Sequence, residues 1–158
     1  MITDELIQLL AEKKLTLATA ESCTGGNIAH ALTLVPGASQ VFKGGIVSYC
    51  DEVKHNILSV NSKDLDLFTA VSEPVALQMA LGAKCALNTD CAISTTGVAG
   101  PSGGTTDIPV GTVWMAVSTP NESQTFRFNF SGSRSDIIDQ ATRQAIQLLI
   151  DALSKHLA

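Results

Sequence analysis

Three short apolar runs, each joined to a glycine pair or cluster, are separated by segments with helical spacing, and that alternation restricts the fold more than any other feature. Residues 15–19 run into Glu21-Ser22-Cys23-Thr24-Gly25-Gly26. Residues 45–50 open on Gly44-Gly45, and residues 91–95 run into Thr96-Gly97-Val98-Ala99-Gly100-Pro101-Ser102-Gly103-Gly104. Strands buried on both faces read as continuous apolar runs. Between them, residues 3–14 carry the stripe Leu6, Ile7, Leu9 and Leu10, with Thr3 as a cap and Asp4 and Glu5 at the positive end. A second helix follows Gly26 to about Val35, where Pro36-Gly37 stops it. A helical turn begins at Asp51, a short helix follows Ser62, and Ser72-Glu73-Pro74 starts a helix to about Leu87. Residues 111–119 and 124–130 read as a hairpin around Thr119-Pro120-Asn121-Glu122. A last helix from Ser135-Asp136 buries Ile137, Ala141, Ala145, Leu148, Leu149 and Ala152.

The expected architecture is therefore a single α/β domain, a three-layer α/β/α sandwich with a mixed sheet, a C-terminal hairpin and a long final helix. At 158 residues with 45% apolar content, such a domain can bury about two-thirds of its surface without staples. A formal charge of −5 and the absence of any basic run beyond Lys13-Lys14 argue against nucleic acid as a partner. No apolar stretch approaches a membrane span, and acidic residues occupy the start where an export signal would be basic, so a cytoplasmic protein is expected. The four cysteines lack C-x-x-C spacing and sit in apolar stretches, as buried reduced thiols would. Neither a metal nor another cofactor is expected from so few scattered histidines.

In open α/β sheets, ligands lie outside the carboxyl ends of the parallel strands. Ser22, Tyr49 and Thr96 all fall there. A helix opening at Gly25 would turn its free N–H groups toward whatever Ser22 faces, although tight strand-to-helix packing explains Gly25 and Gly26 equally well. The 97–104 loop is long to order without a task, and it lacks the G-K-[ST] ending of a phosphate-binding P-loop. A serine nucleophile needs a base, and no histidine is suitably placed: His55 adjoins Lys54, while His30 and His156 lie on helices. Lysine serves when desolvation lowers its pKa, and Lys54 stands one turn past the strand that carries Tyr49. Tyr49 then relays a proton between a serine and Lys54, or holds the lysine. The plain alternative is a solvated lysine and a core tyrosine. A rival constellation takes Cys23 as nucleophile, Glu21 as base and Lys54 as electrostatic partner. Neighbours on an extended segment face opposite sides, so either Ser22 or the pair Glu21 and Cys23 faces the site. The sequence leaves that choice open.

Ala20-Glu21-Ser22-Cys23-Thr24-Gly25-Gly26 closely resembles the opening signature of the CinA carboxy-terminal domain family, the nicotinamide-nucleotide amidohydrolases. The resemblance continues in Gly45-Ile46-Val47-Ser48-Tyr49 with Lys54, and in Val71-Ser72-Glu73-Pro74-Val75-Ala76. It runs on through Ser94-Thr95 and the 96–104 loop, Pro109-Val110-Gly111-Thr112-Val113-Trp114, and Phe130-Ser131-Gly132 with Arg134. It implies a stand-alone form of a domain that is elsewhere fused to a molybdopterin-binding-like domain. It also implies hydrolysis of the carboxamide of nicotinamide mononucleotide to nicotinate mononucleotide and ammonia, without a metal, by a serine with lysine as base. Ser22, Tyr49 and Lys54 match the polar set, and Ser39 matches a family serine and is a second nucleophile candidate, with Ser22 preferred. The substrate contacts implied are Thr24, Gly25, Gly26, Gly45, Thr96, Gly97, Gly100, Gly103 and Gly104. The loop would shape an oxyanion hole, and Arg134 would hold the phosphate. A homo-oligomer, dimer or higher, is the implied assembly.

Three positions depart from the family pattern: Ser133 replaces a common aspartate, and Ile138 and Ile108 replace common cations. Each lost charge-assisted bond is worth about 1.5–3 kcal/mol, so the alternative is a non-catalytic or substrate-altered paralogue that still binds a nucleotide.

Overall fold

The computed structural model describes residues 1–155. In chain order the elements are α1 (Ile2–Lys13), β1 (Leu17–Glu21), α2 (Asn27–Thr33), a 3-10 turn (Ala38–Gln40), β2 (Phe42–Val47), α3 (Asp51–Leu58), α4 (Ser62–Phe68), α5 (Glu73–Leu87), β3 (Cys91–Gly97), β4 (Thr112–Ser118), β5 (Ser123–Asn129) and α6 (Arg134–Ser154). The five strands form one sheet in the order β2-β1-β3-β4-β5. β2, β1 and β3 are parallel, whereas β4 and β5 run antiparallel as a hairpin. Helices α1, α2 and α6 cover one face and α3, α4 and α5 the other. This is the three-layer mixed sandwich that the alternation of patterns implies.

β1 and the first six residues of β3 are buried, which is why both read as uninterrupted runs of apolar and small residues. The edge strand β5 is only half-covered, and Phe126, Phe128 and Phe130 stack in a row against the core. The chain leaves β1 toward α2 on one face and leaves β2 toward α3 on the other. The two connections diverge at the carboxyl ends of the parallel strands, and a crevice opens there.

Several local expectations change. β2 spans Phe42–Val47, three residues upstream of its expected place. Gly44 and Gly45 lie inside it and do not mark its start: a Cβ on Gly45 would collide with the Thr19 hydroxyl of β1, so the glycine permits close strand packing. Met1, not Thr3, stands at the N-cap of α1, and Thr3 is buried within the helix. Ser72 does occupy the N-cap of α5, but its hydroxyl bonds back to the Thr69 carbonyl and caps nothing. α6 begins one residue before Ser135, because Ser133 and Asp136 form a reciprocal capping box. Cys23 and Cys91 are buried, but Cys50 and Cys85 are exposed; all four are free. His30 is exposed, and His156 lies outside the described residues. No helix among the described residues is long and apolar enough to cross a membrane.

One packing contact bears on the site. A Cβ on Gly82 of α5 would fall on the carbonyl oxygen of Leu58, the last residue of α3. The two helices meet there backbone to backbone.

Candidate active site

Ser22 is the first residue past β1. Its N–H continues the ladder to the Thr95 carbonyl at 2.9 Å, so the strand register fixes its position. Lys54 lies in the first half of α3, and its whole side chain turns inward to 1% exposure. Its Nζ donates to the Ser48 carbonyl at 2.8 Å and stands 3.0 Å from Ser22 Oγ. Ser48 is itself tied by its N–H to the Glu21 carbonyl at 2.8 Å. Burial pushes the Lys54 pKa down, while Asp51 and then the Cys50 and Cys23 thiols oppose it. No carboxylate pairs with this amine among the described residues. A buried, unpaired amine favours its neutral form, and the lone pair of that form can accept the Ser22 hydroxyl proton.

The rival Glu21–Cys23 arrangement is dismantled by its hydrogen bonds. The buried Glu21 carboxylate turns toward α2: Oε1 accepts from the Thr24 hydroxyl (2.7 Å) and the Ile28 N–H (2.8 Å), and Oε2 accepts from the Ala29 N–H (2.9 Å). It caps α2 from outside the helix, since Gly26 at the N-cap offers no side chain. The N–H groups expected to point toward a ligand are therefore already satisfied. Cys23 borders the cavity, but burial pushes its thiol up to about 12, so no nucleophilic thiolate forms near neutral pH.

A cavity of about 310 Å³ opens over Ser22 and Lys54, walled by Ala70, Val71, Tyr49, Thr96 and the glycine-rich loop. Thr96 Oγ1 donates to the Ala70 carbonyl at 2.9 Å, holding one wall. Arg134, the first residue of α6, reaches across the mouth. Its guanidinium donates to the Gly100 carbonyl (2.7 Å) and to the Tyr49 hydroxyl (2.8 Å). Tyr49 is thus an exposed rim residue tethered to Arg134. It does not stand between Ser22 and Lys54, which meet directly and leave no gap for a relay.

Of the expected site residues, Ser22, Tyr49, Lys54, Thr96, Gly97, Gly100, Gly103 and Arg134 line this cavity. Thr24, Gly25 and Gly26 line an adjoining hollow with His30 and Ile138, and Thr24 is committed to Glu21 and Thr95. Gly45 packs against Thr19, and Gly104 packs against the Val110 backbone. Ser39 is exposed in the 3-10 turn that precedes β2, at the opposite end of the parallel strands from Ser22. Ile108 closes a small turn with Thr105, also away from the cavity lining. Among the described residues, no group of three or more His, Cys, Asp and Glu gathers as a metal would need. Sequence reasoning missed the Ser48 carbonyl, the Ala70-Val71 wall and Asp51. Asp51 left a signal as an acid about one helical turn before Lys54, and Ser48 and Val71 stand within the segments that carry the resemblance.

Comparison with known proteins gives a consistent picture. The family described as CinA C-terminal domain matches residues 1–153. A CinA-like protein of Flavobacterium psychrophilum is 44% identical over 149 residues, covering 94% of this chain and 36% of that protein. A CinA-like protein of Leptospira borgpetersenii is 46% identical over 155 residues, covering 98% of this chain and 37% of its own length. The chain thus spans little more than a third of these curated relatives. Among solved structures, a CinA superfamily protein from Klebsiella pneumoniae superposes with a TM-score of 0.94 at 36% identity, over 98% of this chain and 96% of that one. One from Escherichia coli gives 0.91 at 39% identity, over 94% and 87%.

Proposed function

The chain belongs to the CinA C-terminal domain family, and from that premise we propose that it hydrolyses the carboxamide of nicotinamide mononucleotide to nicotinate mononucleotide and ammonia. The observation that carries the proposal is the buried Lys54 amine 3.0 Å from the Ser22 hydroxyl. Neutral Lys54 takes the Ser22 proton as Oγ attacks the amide carbon. The tetrahedral oxyanion would fall to the N–H groups of Ala99 and Gly100, since the Val98 N–H already donates to the Thr112 carbonyl. Lys54 returns the proton to the departing nitrogen, the C–N bond breaks, and ammonia leaves an acyl-serine ester. Water then attacks that ester with Lys54 again as base; the C–Oγ bond breaks, Lys54 returns the proton to Ser22 Oγ, and the carboxylate product is released. Arg134 spends two of its five N–H donors on Gly100 and Tyr49. The remaining three are suited to the substrate phosphate. A cytoplasmic setting and a homo-oligomeric assembly belong to the same proposal.

An ammonia-release assay tests it, run with nicotinamide mononucleotide, nicotinamide riboside, nicotinamide and simple aliphatic amides. The mononucleotide should be cleaved fastest. Ser22→Ala should lose several orders of magnitude in kcat and keep binding, and Ser39→Ala should keep most activity. Ammonia from another amide alone would overturn the substrate. Binding without any hydrolysis would favour a nucleotide-binding role, the reading suggested by the apolar Ile138 beside the α2 hollow.

A further inference from the structure

Three charged side chains line the cavity: Asp51, Lys54 and Arg134. Lys54 is committed to Ser22 and Ser48, and Arg134 to Gly100 and Tyr49. Asp51, the first residue of α3, makes no ion pair and no side-chain hydrogen bond among the described residues, although its field is the main influence opposing burial at Lys54. An exposed carboxylate without an ion-pair partner among the described residues therefore lines the same cavity as the reacting pair. The bland role for it, raising the lysine pKa, works against a neutral base. A ligand that needs a counter-charge gives the carboxylate a use.

The scissile carboxamide of nicotinamide mononucleotide sits on a pyridinium ring with a full positive charge. With its amide carbon at Ser22 Oγ, that ring would occupy the cavity that Tyr49, Asp51 and Lys54 help to line. With Lys54 neutral as the base, Arg134 would be the one charge among the described residues lining the cavity without Asp51, and it repels a ring cation. The ring of Tyr49 adds an aromatic surface that also attracts cations. We propose that Asp51, assisted by Tyr49, selects amides carried on a cationic N-substituted pyridinium ring over neutral amides of the same shape. This deepens the amidohydrolase reading and rests on it for the position of the ring.

The test pairs nicotinamide mononucleotide with its reduced form, which keeps the amide, ribose and phosphate but has a neutral dihydropyridine ring. Binding of both is measured on Ser22→Ala and on Ser22→Ala/Asp51→Asn, and kcat/KM for both on the native protein and on Asp51→Asn. Removing this exposed, partly screened carboxylate should weaken the cationic ligand about two- to fivefold and leave the neutral one nearly unchanged. Any effect of Asp51 on Lys54 protonation acts on both substrates and cancels in their ratio. An equal change for both ligands, with an unchanged melting midpoint, would overturn the proposal. Asp51→Ser replaces Asp51→Asn if the latter fails to fold. A cation preference in binding that disappears with Asp51, in a protein that releases no ammonia, would sink the hydrolase reading and leave the selection standing. Ammonia release with an unaltered preference would do the reverse, and failure to bind either nucleotide would overturn both.

Discussion

Replacing Glu21 by glutamine separates a structural carboxylate from a catalytic one. Glutamine keeps the shape but puts an NH₂ group where one oxygen was. If the nitrogen takes the place of Oε2, the Ala29 N–H faces another donor; if it takes the place of Oε1, the Ile28 N–H does. Either choice orphans one buried backbone donor, at a cost of about 1–3 kcal/mol. The surviving bonds change from a charged to a neutral acceptor and lose up to about 1 kcal/mol each. Relief from burying the charge offsets part of this. The net destabilisation should be about 2–3 kcal/mol. For a chain of this size that lowers Tm by about 5–10 °C. Thermal unfolding followed by circular dichroism measures the shift, and ammonia release at 25 °C should stay within a few-fold of the native rate. An unchanged Tm with turnover reduced by orders of magnitude would falsify the capping argument and make Glu21 the base.

Hydrolysis should rise with pH along a limb set by Lys54, below the usual lysine range, and Lys54→Arg should be nearly inactive at every accessible pH. Between that lowered value and the free-lysine value of about 10.4, the unfolded chain holds more protons than the folded one, so the buried amine costs less stability as pH rises. Lys54→Met should therefore raise Tm near pH 7 and flatten its increase toward pH 10; a lower Tm at pH 7 would contradict this. Arg134→Ala should raise KM for nicotinamide mononucleotide more than for the riboside, whereas equal losses would make Arg134 a strut between Tyr49 and Gly100. With a disulfide thiol reagent near neutral pH, Cys50 and Cys85 should react quickly. Cys23 and Cys91, both buried and pushed up to about 12, should react only on unfolding, for a total of four. Two or fewer thiols after denaturation without reductant would refute that.

The layers were legible because buried strands and amphipathic helices write their periods directly into residue order. Residues 91–95 could be little else than a buried strand, and Ser22 and Thr96 follow from where the first and third runs end. What stayed hidden depends on contacts between distant segments. Glu21 looks like a free acid beside a candidate nucleophile until α2 is seen to lie with its N–H groups over it. Gly45 reads as a strand start until Thr19 is seen against it. Tyr49 and Lys54 follow the same strand, yet one is exposed on the rim and the other buried beneath it, because α3 turns between them. Main-chain groups such as the Ser48 carbonyl have no signature in the sequence at all.

Gly82 does not border the cavity, yet it determines how closely α3 can lie on α5, and α3 carries Lys54. An alanine there would drive its methyl into the Leu58 carbonyl and push the end of α3 outward. In the proposed mechanism, a displacement of about 1 Å at Lys54 would cost about a hundredfold in rate. Divergence within this fold can then be silent in the residues that line the cavity. A related sequence that keeps Ser22 and Lys54 but bears a bulkier residue in place of Gly82 should hold these two side chains farther apart, even though each residue around its pocket still matches.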